Sequence, residues 1–246
     1  MDGVSRILNS FGIAPTSPIR TKPNAWLSQR KNDRLLFAKY PRRFFSQFGE
    51  DAILQAMLPI KVGTYVDIGS GHPVAGSNTY ALYELGWRGI LIDPIRTNVE
   101  LSKRLRPGDI CIQAAIGREG GSAIDFFEFD VYEYSTTSRE RVSELEAMGH
   151  SLRASYPVEM RSLREVLCDF TPKSISVLSL DVEGGEMDVL RGNDWKSFRP
   201  TFIIVEEWEP PLGIRTEAFH FLSDLGYSLT AVAGVSSIYR LIEGTD

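Results

Sequence analysis

From residue 63 onward, short apolar blocks alternate with stretches whose apolar positions recur every three or four residues. A near-continuous apolar block bounded by turn residues marks a parallel strand covered on both faces. The three-to-four spacing marks a helix with one buried stripe. The blocks predict strands over 63–69, 89–93, 110–116, 175–181 and 201–207. Helices are predicted over 77–85, 97–105, 139–148, 162–170, 185–190 and 217–225, with Gly86 and Gly226 as stops. A further helix opens near Glu50 and Asp51, whose charges suit a first turn. Segments 123–129 and 131–134 read as extended, and 227–232 and 236–241 as an antiparallel hairpin joined through Gly234. Strands alternating with helices and closed by a hairpin imply a doubly wound α/β sheet with one reversed strand, one domain over 46–246.

The first of these strands ends in Asp67-Ile-Gly69-Ser70-Gly71-His72-Pro73, and the second ends in Asp93-Pro94. Glycines at such a turn let the backbone approach a ligand where a Cβ would clash. An acid at the tip of the second strand can accept hydrogen bonds from two ribose hydroxyls. Together these features predict a nucleoside-binding βαβ unit. Dinucleotide folds place a third glycine where this chain has Val74, and Asp67 would sit badly beside a pyrophosphate. A cationic, phosphate-free nucleoside suits the acid better, and S-adenosylmethionine (SAM) is such a ligand. A nicotinamide-dependent oxidoreductase is the alternative that Val74 disfavours.

Charge divides the chain unevenly. Residues 1–45 hold nine Lys or Arg against Asp2 and Asp33, a balance of +7, while the rest holds 18 basic and 30 acidic residues, a balance of −12. An acidic body is a poor general nucleic-acid binder, so no such partner is expected. The basic arm is expected to be partly ordered and to pack on the acidic body, or to contact an anionic substrate or lipid headgroup. No apolar run of about 18 residues or more is present, so no membrane span is expected, nor a secretory leader. Cys111 and Cys168 have no partner at metal-ligand spacing and read as reduced core residues of a cytoplasmic protein.

Candidate chemistry gathers where open α/β sheets bind ligands, at the carboxyl ends of the strands. His72 follows the glycine turn, and an imidazole can serve as a base near neutrality, or merely hydrogen-bond the loop. Asp181 and Glu183 follow the fourth strand, and Glu206 and Glu207 end the fifth. Neighbouring strands lie about 4.8 Å apart, so these acids can converge. Glu186 reads as a first-turn acid of the following helix, and His150 and His220 as structural.

Four segments in this order resemble the FkbM-type methyltransferases. They are Ser46-Gln-Phe-Gly-Glu-Asp-Ala-Ile-Leu54, Tyr65–Pro73, Ser77-Asn-Thr-Tyr80 through Gly86–Pro94, and Leu180-Asp-Val-Glu-Gly-Gly-Glu186. The resemblance spans residues 46 to 240 and leaves the arm uncovered. It implies a class I methyltransferase, Rossmann-like fold of seven strands, SAM as cofactor, and O-methylation of a sugar, glycan or natural-product hydroxyl. It implies further that Asp67, Gly69, Ser70 and Gly71 line the methionine end of the cofactor and that Asp93 takes the ribose. Residues around Ala115 and Asp125-Phe126 would flank adenine, Gln47 and Asp51 would close from the N-terminal side, and Asn78 and Thr79 would join the cofactor set. For catalysis, Asp181, His72 or Glu183 would act on the acceptor proton. Alternatively Asp181 with Glu206 and Glu207 would bind a divalent cation such as Mg²⁺, as acids at these strand ends do in catechol-type O-methyltransferases. A catalytically silent SAM-binding subunit is a third possibility.

Overall fold

The structure is a computed structural model that describes residues 44–58, 61–131, 134–170, 172, 174–207 and 216–242. The basic arm therefore lies outside the described residues, apart from its last two positions. Among the described residues no helix is long and apolar enough to cross a membrane.

Seven strands form the main sheet: β1 (Thr64–Ile68), β2 (Arg88–Asp93), β3 (Ile110–Gln113), β7 (Val177–Leu180), β8 (Phe202–Glu206), β9 (Tyr227–Ala233) and β10 (Ser236–Leu241). Their order is β3-β2-β1-β7-β8-β10-β9. All pairings are parallel except those of β10, which runs antiparallel to both β8 and β9. The α/β class, the seven strands and the C-terminal hairpin are those expected from the sequence. Register places Ile68 beside Ile92 on one side and Leu180 on the other, so the tips of β1, β2 and β7 end level.

Alternation along β1 explains how both faces are covered. Val66 and Ile68 face one layer with Leu178, Leu180, Ile203 and Val205. Against them pack α5 (Leu163–Phe170), α6 (Glu186–Arg191) and α7 (Glu217–Asp224), through Leu163, Val166, Val189, Leu190 and Leu222. Tyr65 faces the other layer with Leu91, Val177 and Phe202, closed by Leu54 of α1 (Glu50–Met57), Leu82 of α2 (Tyr80–Glu84) and Trp87. Capping fixes where helices begin. The Thr216 hydroxyl accepts from the Phe219 N–H at 3.1 Å, and Ser138 accepts from Arg141 at the start of α4 (Arg139–Ala147). The remaining helix, α3 (Arg96–Leu105), follows β2.

Two expectations change. The strand expected over 110–116 breaks at Ala114. Its second half, β4 (Ala115–Gly117), leaves the main sheet to pair with β6 (Leu152–Ser162). β6 in turn pairs antiparallel with β5 (Ala123–Phe129), giving a second sheet ordered β4-β6-β5. Nothing in the sequence reading anticipated β6. Segment 131–134 is a turn at its described ends, where the Tyr134 N–H donates to the Val131 carbonyl. The cysteines also differ from expectation: Cys111 is half-buried and Cys168 exposed.

Candidate active site

A cavity of about 380 Å³ opens between the tips of β1, β2 and β7 and the second sheet. Its floor is the glycine turn after β1. Gly69 and Gly71 both sit at positive φ, +72° and +54°. A Cβ on Gly69 would stand 1.6 Å from the Asp181 carbonyl oxygen, so only glycine lets the turn pass the end of β7. The turn is tied to β2, because the N–H groups of Gly69 and Ser70 both donate to the Ile92 carbonyl.

Asp93 closes one wall. Its carboxylate accepts from the Gly71 N–H at 2.7 Å, the Ile95 N–H at 2.8 Å and the Asn98 side chain at 3.3 Å. Burial pushes its pKa up to about 6 against these bonds. It borders the cavity, as do Pro94, Ile95 and Asn98. Across from it, Ala114–Ile116 and the second sheet's Phe126 and Met160 form an apolar wall, and Ser135–Thr137 a hydroxyl-bearing one. Asp125, beside Phe126, instead points outward to an ion pair with Arg139.

The N-terminal strap meets the same cavity. Ser46 bridges to Gly76, the Gly76 N–H donates to the Phe45 carbonyl at 2.7 Å, and Gln47 lines the opening. Asp51 is fully buried beneath it, accepting from the Phe45 N–H and the Ser46 hydroxyl, so it holds the strap and does not line the cavity. Glu50 accepts from the Phe48 N–H. Asp67, Asn78 and Thr79 also stand behind the wall. The Thr79 hydroxyl donates to Asp67 at 2.5 Å, and the Asn78 amide to Ser179 at 3.2 Å. Burial raises the Asp67 pKa, opposed by the Thr79 hydrogen bond and the Arg106 charge.

His72 lines the cavity, but its Nδ1 accepts from the backbone N–H groups of Val74 and Ala75 at 3.2 and 3.0 Å. That pattern puts the neutral ring's proton on Nε2, which leaves no free acceptor. In this geometry the imidazole caps the turn through Nδ1.

Acids converge at the tips of β7 and β8. Asp181 and Glu183 line the cavity, and ligand atoms of Asp181, Glu183 and Glu206 all lie within 4.8 Å of one another. Burial, and the Glu206 carboxyl beside it, raise the Asp181 pKa well above the ordinary carboxylate value. Glu206 is raised too, chiefly by burial, and its Oε2 is buried without a hydrogen-bond partner. Glu183 is the one non-glycine at positive φ among the described residues, at +58°. Such conformations cost energy and collect at functional sites. Glu207 does not join this group. Strand alternation turns it the other way, where it accepts from the Thr216 hydroxyl and the Tyr239 phenol. Glu186 accepts from the N–H groups of Val182 and Gly184, the first-turn role expected of it. His150 packs on Tyr134 and His220 on Phe219.

Of the residues singled out in the sequence, Gln47, Gly69, Ser70, Gly71, His72, Asp93, Ala115, Asp181 and Glu183 share this cavity. Missed were Asn98, Ser135–Thr137 and Met160. Asn98 could have been found five residues after Asp93 on the next helix. Met160 is visible only once β6 is recognised.

Comparison with known proteins adds a name to this geometry. Methyltransferase sdnD of Sordaria araneosa is 32% identical over 111 residues, which cover 41% of this chain and 41% of that protein. This chain therefore matches less than half the length of that relative. The crystal structure of methyltransferase FkbM from Methylobacillus flagellatus KT aligns over 96% of this chain and 65% of its own, at 10% identity and a TM-score of 0.45. A methyltransferase from Geobacter sulfurreducens aligns over 98% of both chains, at 17% identity and a TM-score of 0.39. The methyltransferase FkbM domain model matches residues 62–229, from the start of β1 to the middle of β9, and so takes in the glycine turn, Asp93 and the acid cluster. The chain belongs to the FkbM methyltransferase family.

Proposed function

We propose that the cavity binds SAM and that the protein transfers its methyl group to an acceptor hydroxyl. SAM supplies a methyl group made electrophilic by its sulfonium. The observation that carries the reading is the cradle between Gly69 and Asp93: a turn that passes hard against the end of β7 because Gly69 has no side chain, and a carboxylate fixed beside it by the Gly71 N–H. Gly69, Ser70 and Gly71 hold the methionine end, Asp93 the ribose hydroxyls, and Ile95, Ala115 and Phe126 the adenine. Gln47 covers the opening.

A hydroxyl is a weak nucleophile, so its proton needs an acceptor as it attacks. Asp181, which lines the cavity beside Glu183 and Glu206, takes that proton. A divalent cation held by Asp181, Glu183 and Glu206 is the second reading, favoured by the spacing of their ligand atoms. It would acidify the hydroxyl directly. The acceptor class is a sugar, glycan or natural-product alcohol.

Calorimetric titration with SAM, followed by transfer of a tritiated methyl group to a panel of hydroxylated acceptors, tests the reading. Saturable binding and base-stable incorporation into an alcohol are expected. Absence of SAM binding by the folded chain would overturn it.

A further inference from the structure

Arg106 lies outside everything that the proposed chemistry uses. It follows α3, its own N–H closing the helix on the Ser102 carbonyl at 2.7 Å, and it does not line the cavity. Its side chain is wholly buried. A charge removed from water is costly unless its partners replace the lost hydration. Here they do. Nε donates to Asp109 at 2.8 Å, Nη1 to the Ser77 hydroxyl at 3.3 Å and the Pro73 carbonyl at 3.4 Å, and Nη2 to the Thr79 hydroxyl at 3.0 Å. The rings of Tyr65, Tyr83 and Tyr80 stand 5.2, 5.3 and 5.9 Å from its guanidinium carbon.

The identity of these partners matters more than the burial. Pro73 opens the segment after the glycine turn, and Ser77 and Thr79 close it, so the guanidinium bridges the segment's two ends. The Thr79 oxygen accepts from Nη2, which leaves its own hydrogen for Asp67. Asp109, the fixed end of the arrangement, accepts from the Tyr65 phenol at 2.6 Å and the Gly89 N–H at 2.9 Å, and is thus tied to β1 and β2. The cavity-lining residues His72, Ala75 and Gly76 lie within or beside the span so clasped.

We infer that Arg106 is the positioning residue of the donor loop. From outside the cavity it holds segment 73–79 closed, with the Thr79 hydroxyl anchored between the guanidinium and Asp67, and in this way it sets the affinity for the methyl donor. The inference rests on the SAM-binding reading. A lysine would carry the charge without the planar fork, and could not serve Asp109, Ser77 and Thr79 together.

Calorimetry with SAM on the full chain, at a temperature where every variant is folded by circular dichroism, tests it. Arg106→Lys is expected to weaken SAM binding tenfold or more. Leu222→Ala, a cavity-forming change on α7 remote from the loop, is expected to lower the melting temperature and leave SAM affinity at the wild-type value. Thr79→Val, which breaks the relay with Arg106 in place, should reproduce the Arg106→Lys loss, and Thr79→Ser should restore binding. Folded Arg106→Lys and Thr79→Val proteins with wild-type affinity would overturn the inference. Should Arg106→Lys fail to fold, the Thr79 pair decides alone. A folded wild-type chain that does not bind SAM overturns the donor-binding reading, and this inference with it.

Discussion

The carbonyl of Asp181 occupies the space that a side chain on Gly69 would need, 1.6 Å from the position of its Cβ. The glycine turn and the acid cluster are therefore in van der Waals contact, backbone to backbone. Gly69→Ala must push the two apart, and it also places a Cβ on a residue at φ +72°. The left-handed conformation alone costs about 1–3 kcal/mol. The variant is expected to melt several degrees lower and to lose SAM binding, and a wild-type melt would contradict the close approach.

Asp93→Ala is expected to weaken SAM binding at least about tenfold, since each strong bond from a hydroxyl to a charged acceptor contributes roughly 1.5–3 kcal/mol. A dissociation constant equal to wild type in a folded protein would remove the ribose assignment.

The pH dependence of Asp93 has two signs. Burial raises its folded pKa to about 6, so the folded state takes up a proton more readily than the unfolded state does. Stability conferred by this residue accordingly rises as pH falls from about 6 towards 4, by an amount on the order of 3 kcal/mol. SAM affinity moves oppositely, because the protonated acid is a poorer acceptor for ribose hydroxyls. Affinity measured from pH 8 to pH 5 should drop through about pH 6, and Asp93→Asn should flatten both curves.

Glu206→Gln removes a like charge from beside Asp181, so Asp181 should ionise at lower pH. The acid limb of the pH–rate profile is expected to shift downward, whereas Asp181→Asn should abolish turnover. An acid limb that stays in place in Glu206→Gln would argue against the coupling of the two acids. Turnover after EDTA treatment is expected to be undiminished, and loss restored by Mg²⁺ would favour the cation reading instead.

His72→Asn keeps a side-chain acceptor for the Val74 and Ala75 N–H groups, so the turn should hold. Turnover is expected to fall by less than about tenfold, against the 10²–10⁴-fold typical of losing a general base. A loss of that larger size without change in stability would return His72 to the role of base.

The sequence made the glycine turn and Asp93 legible because their spacing is local: a strand, a tight turn, a helix and a second strand fit within about thirty residues. The small sheet was not legible for the opposite reason. β6 alternates Leu152, Ala154, Tyr156, Val158 and Met160 with polar residues, but Pro157 and four exposed positions at its start mask the pattern. Its partner β4 reads as the tail of β3 until Ala114 turns it aside. Arg106 was invisible as well, since a basic residue ending a helix is ordinarily a solvated complement to the dipole. The pairing of Glu206 with Asp181, and the exclusion of Glu207, was available from strand alternation alone: adjacent residues of one strand face opposite ways.

The step at Ala114 has an architectural meaning. The chain leaves the main sheet there, builds β4, β5 and β6, and returns through Ser162 into α5. The cavity is consequently a seam between two separately built walls. One is clamped by Asp93, Gly69 and the end of β7, where a side chain on Gly69 would collide with the Asp181 backbone. The other is made of side chains, Phe126, Met160 and Ser135–Thr137, on a sheet whose hydrogen bonds are its own. One cavity in this chain is thus bounded by two sheets that are hydrogen-bonded separately, so a change in the pairing of one does not pass directly through backbone bonds to the other.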